Sequence, residues 1–233
     1  MRELKTTALA LNQRQIAFEG DWTDGEQERI LTVLERIEAL AHRDLPKVLN
    51  GQSTTFRKSG RPGRAGRTLG GLVELDADWT DWTLAHELGH RWNNAWQRTP
   101  ERDLRTSLGA GGWEWLKRPL RRFEKSLERL LKKIGVTARL DWQALWYHPG
   151  QAAPPCGADR NFNASEDLAE SFAASVFPQE AKERAAKASQ RLAKAGWDWG
   201  EQKGDFDRTE RGEFLQRRMR AISIIDSPSD KSA

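Results

Sequence analysis

The stretch "TLAHELGHRWNNAW", Thr83 to Trp96, decides how this chain is read. It carries His86 and His90, two of the four histidines, with Glu87 beside the first. On an α-helix, residues i and i+4 share a face, so both imidazoles can reach one metal ion. Glu87 sits at the rim of that face, where it can reach a water on the metal without binding the metal itself. This is the spacing of the H-E-x-x-H zinc motif. Gly89, in the middle of the helix, costs roughly 1 kcal/mol of helix propensity, which implies a packing reason for it. Asp78, Thr80 and Asp81 offer N-caps just upstream.

A catalytic zinc needs a third protein ligand and an open fourth position. Asn93 and Trp96 stand where a metzincin would carry a Gly and a His, which excludes that class. Two candidates are left. His148 lies in a loop rich in Pro and Gly, and Glu166 lies in the helix pattern "SEDLAESFAASVF", Ser165 to Phe177. Glu166 and Glu170 are again i and i+4. The pair explains more than His148 does: Glu166 can ligate the metal, and Glu170 can accept the outer N–H of a ligating histidine. His86 and His90 both fit that role. Asp167 and Ser171 supply further polarity on the same helix, opposite an apolar face.

"HELGH" (His86–His90) followed by "EDLAESF" (Glu166–Phe172) resembles the gluzincin zinc metallopeptidases. The likeness is to the branch similar to the anthrax lethal factor catalytic domain and related small bacterial zinc metallopeptidases. It spans roughly Gly70 to Phe177. The resemblance implies a zincin-like fold, a short sheet packed on the H-E-x-x-H helix, and hydrolysis of peptide bonds. It implies His86, His90 and Glu166 as Zn2+ ligands, Glu87 as catalytic base and Glu170 as the support behind a ligand. It also implies an edge strand at Thr68–Leu75 that pairs with an extended peptide or protein substrate. One departure is plain. Such enzymes supply a Tyr or His shortly before the glutamate ligand to stabilise the oxyanion; here the candidates are Tyr147, the single tyrosine, and its neighbour His148.

The remainder of the chain predicts a mainly α-helical α+β domain. "TDGEQERILTVLERIEALAH" is a helix with a capping box at Thr23 and Glu26, an apolar face of Ile30, Val33, Leu34, Ile37 and Leu40, and an end at Pro46. "RKSGRPGRAGR", Arg57 to Arg67, reads as a flexible basic loop. Thr68–Leu75 reads as a strand weakened by Gly70 and Gly71. Phe123, Leu127, Leu130, Leu131 and Ile134 form the apolar face of a basic helix. A single domain over 1–225 is expected, with a helical insertion around 100–160, extra C-terminal helices and a disordered tail at 226–233.

The formal net charge of +4 permits acidic partners without requiring them. The basic loop 57–67 and the cluster Lys117, Arg118, Arg121 and Arg122 open a reading as a DNA-associated zinc protease, though acidic residues nearly balance the basic ones overall. A zinc-stabilised, non-catalytic peptide-binding module is the other alternative. The lone Cys156 excludes an intrachain disulfide and reads as an ordinary loop residue. No signal peptide or membrane span is evident, so a cytoplasmic protein is the default, with delivery as an effector or toxin left open.

Overall fold

The computed structural model describes residues 12–59, 65–108, 117–135, 163–194 and 206–221. The protein is mainly helical, with one small mixed sheet. Helix α1 (Asp24–Ala41) begins where the capping box predicts: the Glu26 amide donates to the Thr23 hydroxyl, and the Thr23 amide donates to the Glu26 carboxylate. Ile30, Val33, Leu34 and Ile37 are buried, and Leu40 is half-buried. The helix ends at His42, in the left-handed region at φ 54°, and not at Pro46. Pro46 instead sits in the first turn of the short α2 (Leu45–Val48), where a missing N–H costs no hydrogen bond.

Four strands form the sheet: β1 (Ile16–Glu19), β2 (Thr54–Lys58), β3 (Gly66–Leu69) and β4 (Leu72–Leu75). Their order is β1-β2-β4-β3, with β1, β2 and β4 parallel and β3 antiparallel to β4. The stretch expected as one strand, Thr68–Leu75, is therefore a hairpin. Gly70, at φ 58°, and Gly71 are its turn; the glycines make the reversal possible where they were expected only to weaken a strand. Of the hairpin's two strands only β3 lies at an edge of the sheet, because β4 is enclosed between β2 and β3. The expected loop Arg57–Arg67 is also shorter than read. Arg57 and Lys58 extend β2, Gly66 and Arg67 open β3, and residues 60–64 lie outside the described residues.

One face of the sheet supplies Phe56, Val73 and Leu75 to the core. On the other, Glu74 lies between Arg57 and Arg67 and pairs with both. Helix α3 (Asp81–Ala95), capped by Thr80, carries the H-E-x-x-H residues. It packs on β3 and β4 on one side and on α6 (Ala164–Val176) on the other. Arg91, fully buried, ties this helix to the start of β2: its guanidinium donates to Gln52 Oε1 (2.9 Å), the Ser53 carbonyl (2.8 Å) and Thr54 Oγ1 (3.3 Å).

Helix α4 (Thr99–Leu108) buries Leu104 and Leu108 and touches α6, so the first part of the expected insertion is built into the core. In α5 (Lys117–Lys133) and just after it, Phe123, Leu130 and Ile134 are exposed. Helix α7 (Pro178–Lys194) follows α6 directly, and α8 (Glu210–Ala221) packs on α6, α4 and α1. Tyr147, His148, Cys156 and the tail 226–233 lie outside the described residues. No described helix is long and apolar enough to cross a membrane.

Candidate metal centre

The site is made by the approach of α3 and α6. Gly89 is the contact point: a Cβ there would stand 2.9 Å from the Cα of Ala169 and 3.0 Å from the Cβ of Phe172. The absent side chain lets the two backbones meet, and Trp92 and Phe172 stack beside it with ring centroids 5.5 Å apart. His86 and His90 on α3 then face Glu166 on the first turn of α6. Asn163 caps that turn, its side-chain oxygen accepting from the amides of Ser165 (2.9 Å) and Glu166 (3.2 Å).

His86 Nε2 and His90 Nε2 are 3.1 Å apart. Glu166 Oε2 is 3.2 Å from the first, and Oε1 is 3.6 Å from the second. Among the described residues this His-His-Glu group could hold a metal ion, its three ligand atoms all lying within 4.8 Å of one another. The outer ring nitrogens are also engaged. His86 Nδ1 lies 3.1 Å from Glu170 Oε1. His90 Nδ1 lies 3.1 Å from Ser165 Oγ. Glu170 therefore supports His86, where the sequence allowed either histidine. Ser165 was not singled out; its position beside Glu166 in the first helical turn was the available signal.

Glu87 is buried against β3, and the Thr68 hydroxyl lies 2.7 Å from its Oε2 and 2.9 Å from its main-chain carbonyl oxygen. Burial raises the Glu87 carboxyl above its ordinary range, opposed by the Thr68 contact and the two imidazoles. Burial alone would lower His86, but the hydrogen bonds and charges of Glu166 and Glu170 prevail and raise it to about 10. Burial would raise Glu166, yet His86 and His90 hold it far below the usual carboxylate range. In the metal-free chain the proton on His86 is thus the positive charge that faces these carboxylates.

The polar side expected for α6 is not solvated. Asp167 and Ser171 are fully buried, and Arg211 from α8, also fully buried, pairs with Asp167 and lies 3.4 Å from Ser171 Oγ. This partner was not legible beforehand, because Arg211 is 44 residues from Asp167 on a helix that reads as amphipathic. The basic loop 57–67 is partly paired within the fold. Arg57 pairs with Glu19 and Glu74, Lys58 with Glu26, and Arg67 with Glu74. Three of its five cations are committed to carboxylates of the sheet and α1. Compared with known proteins, the chain matches no family model, no curated protein and no solved structure.

Proposed function

We propose that the chain is a zinc-dependent metallopeptidase that hydrolyses peptide bonds, with His86, His90 and Glu166 as ligands and Glu87 as general base. The observation that carries this reading is the spacing of the ligand atoms. Tetrahedral zinc with bonds near 2.1 Å requires ligand atoms about 3.4 Å apart. The two histidine nitrogens are 3.1 Å apart, the Glu166 carboxylate comes within 3.2 Å of His86 Nε2 through Oε2 and 3.6 Å of His90 Nε2 through Oε1, and with one oxygen as ligand the three atoms lie within 4.8 Å of one another. Two imidazole nitrogens and one carboxylate oxygen also suit zinc by donor type, and three protein ligands leave a coordination position open.

Zinc, when bound, supplies Lewis acidity to a water and to a peptide carbonyl. The chain's own residues supply the rest. Glu170 and Ser165 hold the outer nitrogens of the two rings, which keeps each Nε2 turned toward the ligand position. Glu87, on the same helix, accepts the water's proton and delivers it to the leaving amine. The edge strand supports a peptide substrate. The Ala65 carbonyl accepts from the Asp76 amide, and main-chain groups in an antiparallel ladder alternate in direction. Gly66 and Thr68 therefore direct their N–H and C=O groups away from β4, where an extended peptide can pair with them.

The test compares zinc-loaded wild type with Glu87→Gln on an unstructured protein substrate, with products identified by mass spectrometry. Wild-type cleavage and a loss of about 10²–10⁴-fold in the variant are expected, at equal zinc content. Equal turnover by the two proteins rejects the reading.

A further inference from the structure

Two residues of β3 touch the same carboxylate. Gly66 and Thr68 are two apart on a strand, so their side-chain positions share a face, and that face meets α3. The single Thr68 hydroxyl hydrogen can reach the Glu87 carbonyl oxygen at 2.9 Å or Oε2 at 2.7 Å. With Glu87 ionised, the charge-assisted bond to Oε2 is the stronger. Oε1 is then the oxygen left for a water. Beside it is Gly66: a Cβ there would stand 3.0 Å from Glu87 Cγ and 3.2 Å from Oε1, with the Glu74 carbonyl 3.2 Å behind. A side chain at 66 would therefore press on the Glu87 carboxylate from the side of Oε1, and glycine leaves that side clear.

We propose that Thr68 and Gly66 are positioning residues for Glu87. The Thr68 hydroxyl fixes the carboxylate by Oε2, and the missing side chain of Gly66 keeps the approach to Oε1 clear. These are the same two residues whose main-chain groups face the open edge of β3. The strand that holds the substrate therefore also sets the base, and substrate register and base orientation are fixed by one element. The proposal rests on the metallopeptidase reading for its catalytic meaning, but the placement of Glu87 is a property of the metal-free chain.

Three variants test it: Thr68→Val, which keeps the shape and removes the hydroxyl; Thr68→Ser, which keeps the hydroxyl; and Gly66→Ala. The first readout is the carboxyl carbon resonance of Glu87 in metal-free protein, assigned with Glu87→Gln. Thr68→Val and Gly66→Ala should shift it, and Thr68→Ser should leave it near the wild-type position. The second is peptide turnover by zinc-loaded protein. Thr68→Val should lower kcat by about 10- to 100-fold with KM and zinc content unchanged, and Thr68→Ser should recover most of the loss. An unmoved resonance in a folded Thr68→Val protein overturns the proposal, whether or not a substrate is found. Turnover that depends on Glu87 but is indifferent to Thr68→Val overturns it alone, leaving the metallopeptidase reading intact. Turnover that survives Glu87→Gln overturns that reading instead.

Discussion

Gly89 on α3 and Ala169 on α6 are in contact through their backbones, so closely that the space for one methyl group between the helices does not exist. This contact brings the histidine pair to Glu166. Elsewhere in an exposed helix, Gly→Ala gains roughly 1 kcal/mol from propensity. Here Gly89→Ala should reverse that sign. The new Cβ meets main-chain atoms, which cannot rotate away, and overpacking of this kind costs about 1–3 kcal/mol. Urea denaturation should show the loss, and a zinc titration should show weaker binding, because the ligand helices are forced apart. A stabilised variant would mean that the helices slide freely past each other.

The Asp167–Arg211 pair makes a separate prediction. Both side chains are fully buried, and they join the ligand helix α6 to the C-terminal helix α8. Removing one partner leaves the other buried charge without this counter-charge, at a cost of about 3–5 kcal/mol. Asp167→Ala should therefore destabilise the chain by that order in chemical denaturation. The double replacement Asp167→Ala with Arg211→Met should recover part of the loss, since it removes both charges. Asp167 is the residue after Glu166, so the single variant should also bind zinc less tightly.

These two contacts mark what the sequence could reveal. His86, Glu87 and His90 were legible because helical spacing alone converges them, and Glu166 and Glu170 were legible because the same i, i+4 rule applies on a second helix. The capping box and apolar face of α1 and the Thr80 cap of α3 obey equally local rules. The hairpin turn at Gly70 and Gly71 was misread, since two short strands flanking a diglycine look like one weak strand until their partners are known. The burial of Asp167 and of Arg91 was not legible for a related reason. A charged residue on a helix reads as solvated, and only tertiary structure brings Arg211 to the first and the strand β2 entry to the second. Thr68 was read as part of a substrate strand, but its contact with Glu87 joins residues 19 apart across two elements.

The two outer supports should differ in weight. Glu170 puts a carboxylate against His86, whereas Ser165 puts a neutral hydroxyl against His90. Glu170→Gln should weaken zinc binding by about 10- to 100-fold, the usual range for loss of a carboxylate behind a ligating histidine. Ser165→Ala should weaken it less, because a neutral acceptor adds less basicity to the ring. Competition titrations against a chromophoric chelator give both constants. A larger effect at Ser165 would mean that His90, and not His86, is the ring held by the stronger contact.

The proton on His86 gives the metal-free protein a pH dependence whose sign is fixed. Its folded pKa, raised to about 10, lies above the ordinary 6.5, so protonation favours the fold. That contribution is complete below about 6.5, declines as pH rises, and is gone above about 10. Glu166 acts in the other direction: its folded pKa is depressed, so its contribution is present above its ordinary 4.5 and is lost as pH falls below that toward the folded value. The cluster therefore stabilises the metal-free chain most between these ordinary values, and the melting temperature of chelator-treated protein should fall from pH 6.5 toward pH 10. Zinc replaces the proton as the source of positive charge, so zinc-loaded protein should not follow this decline. At pH 7 zinc binding should release about one proton, since a ligating imidazole must be neutral. Calorimetric titrations in two buffers of unlike ionisation enthalpy measure that number. Binding with no proton release would show that His86 is already neutral in the metal-free chain, and that its carboxylate neighbours hold it by hydrogen bonding alone.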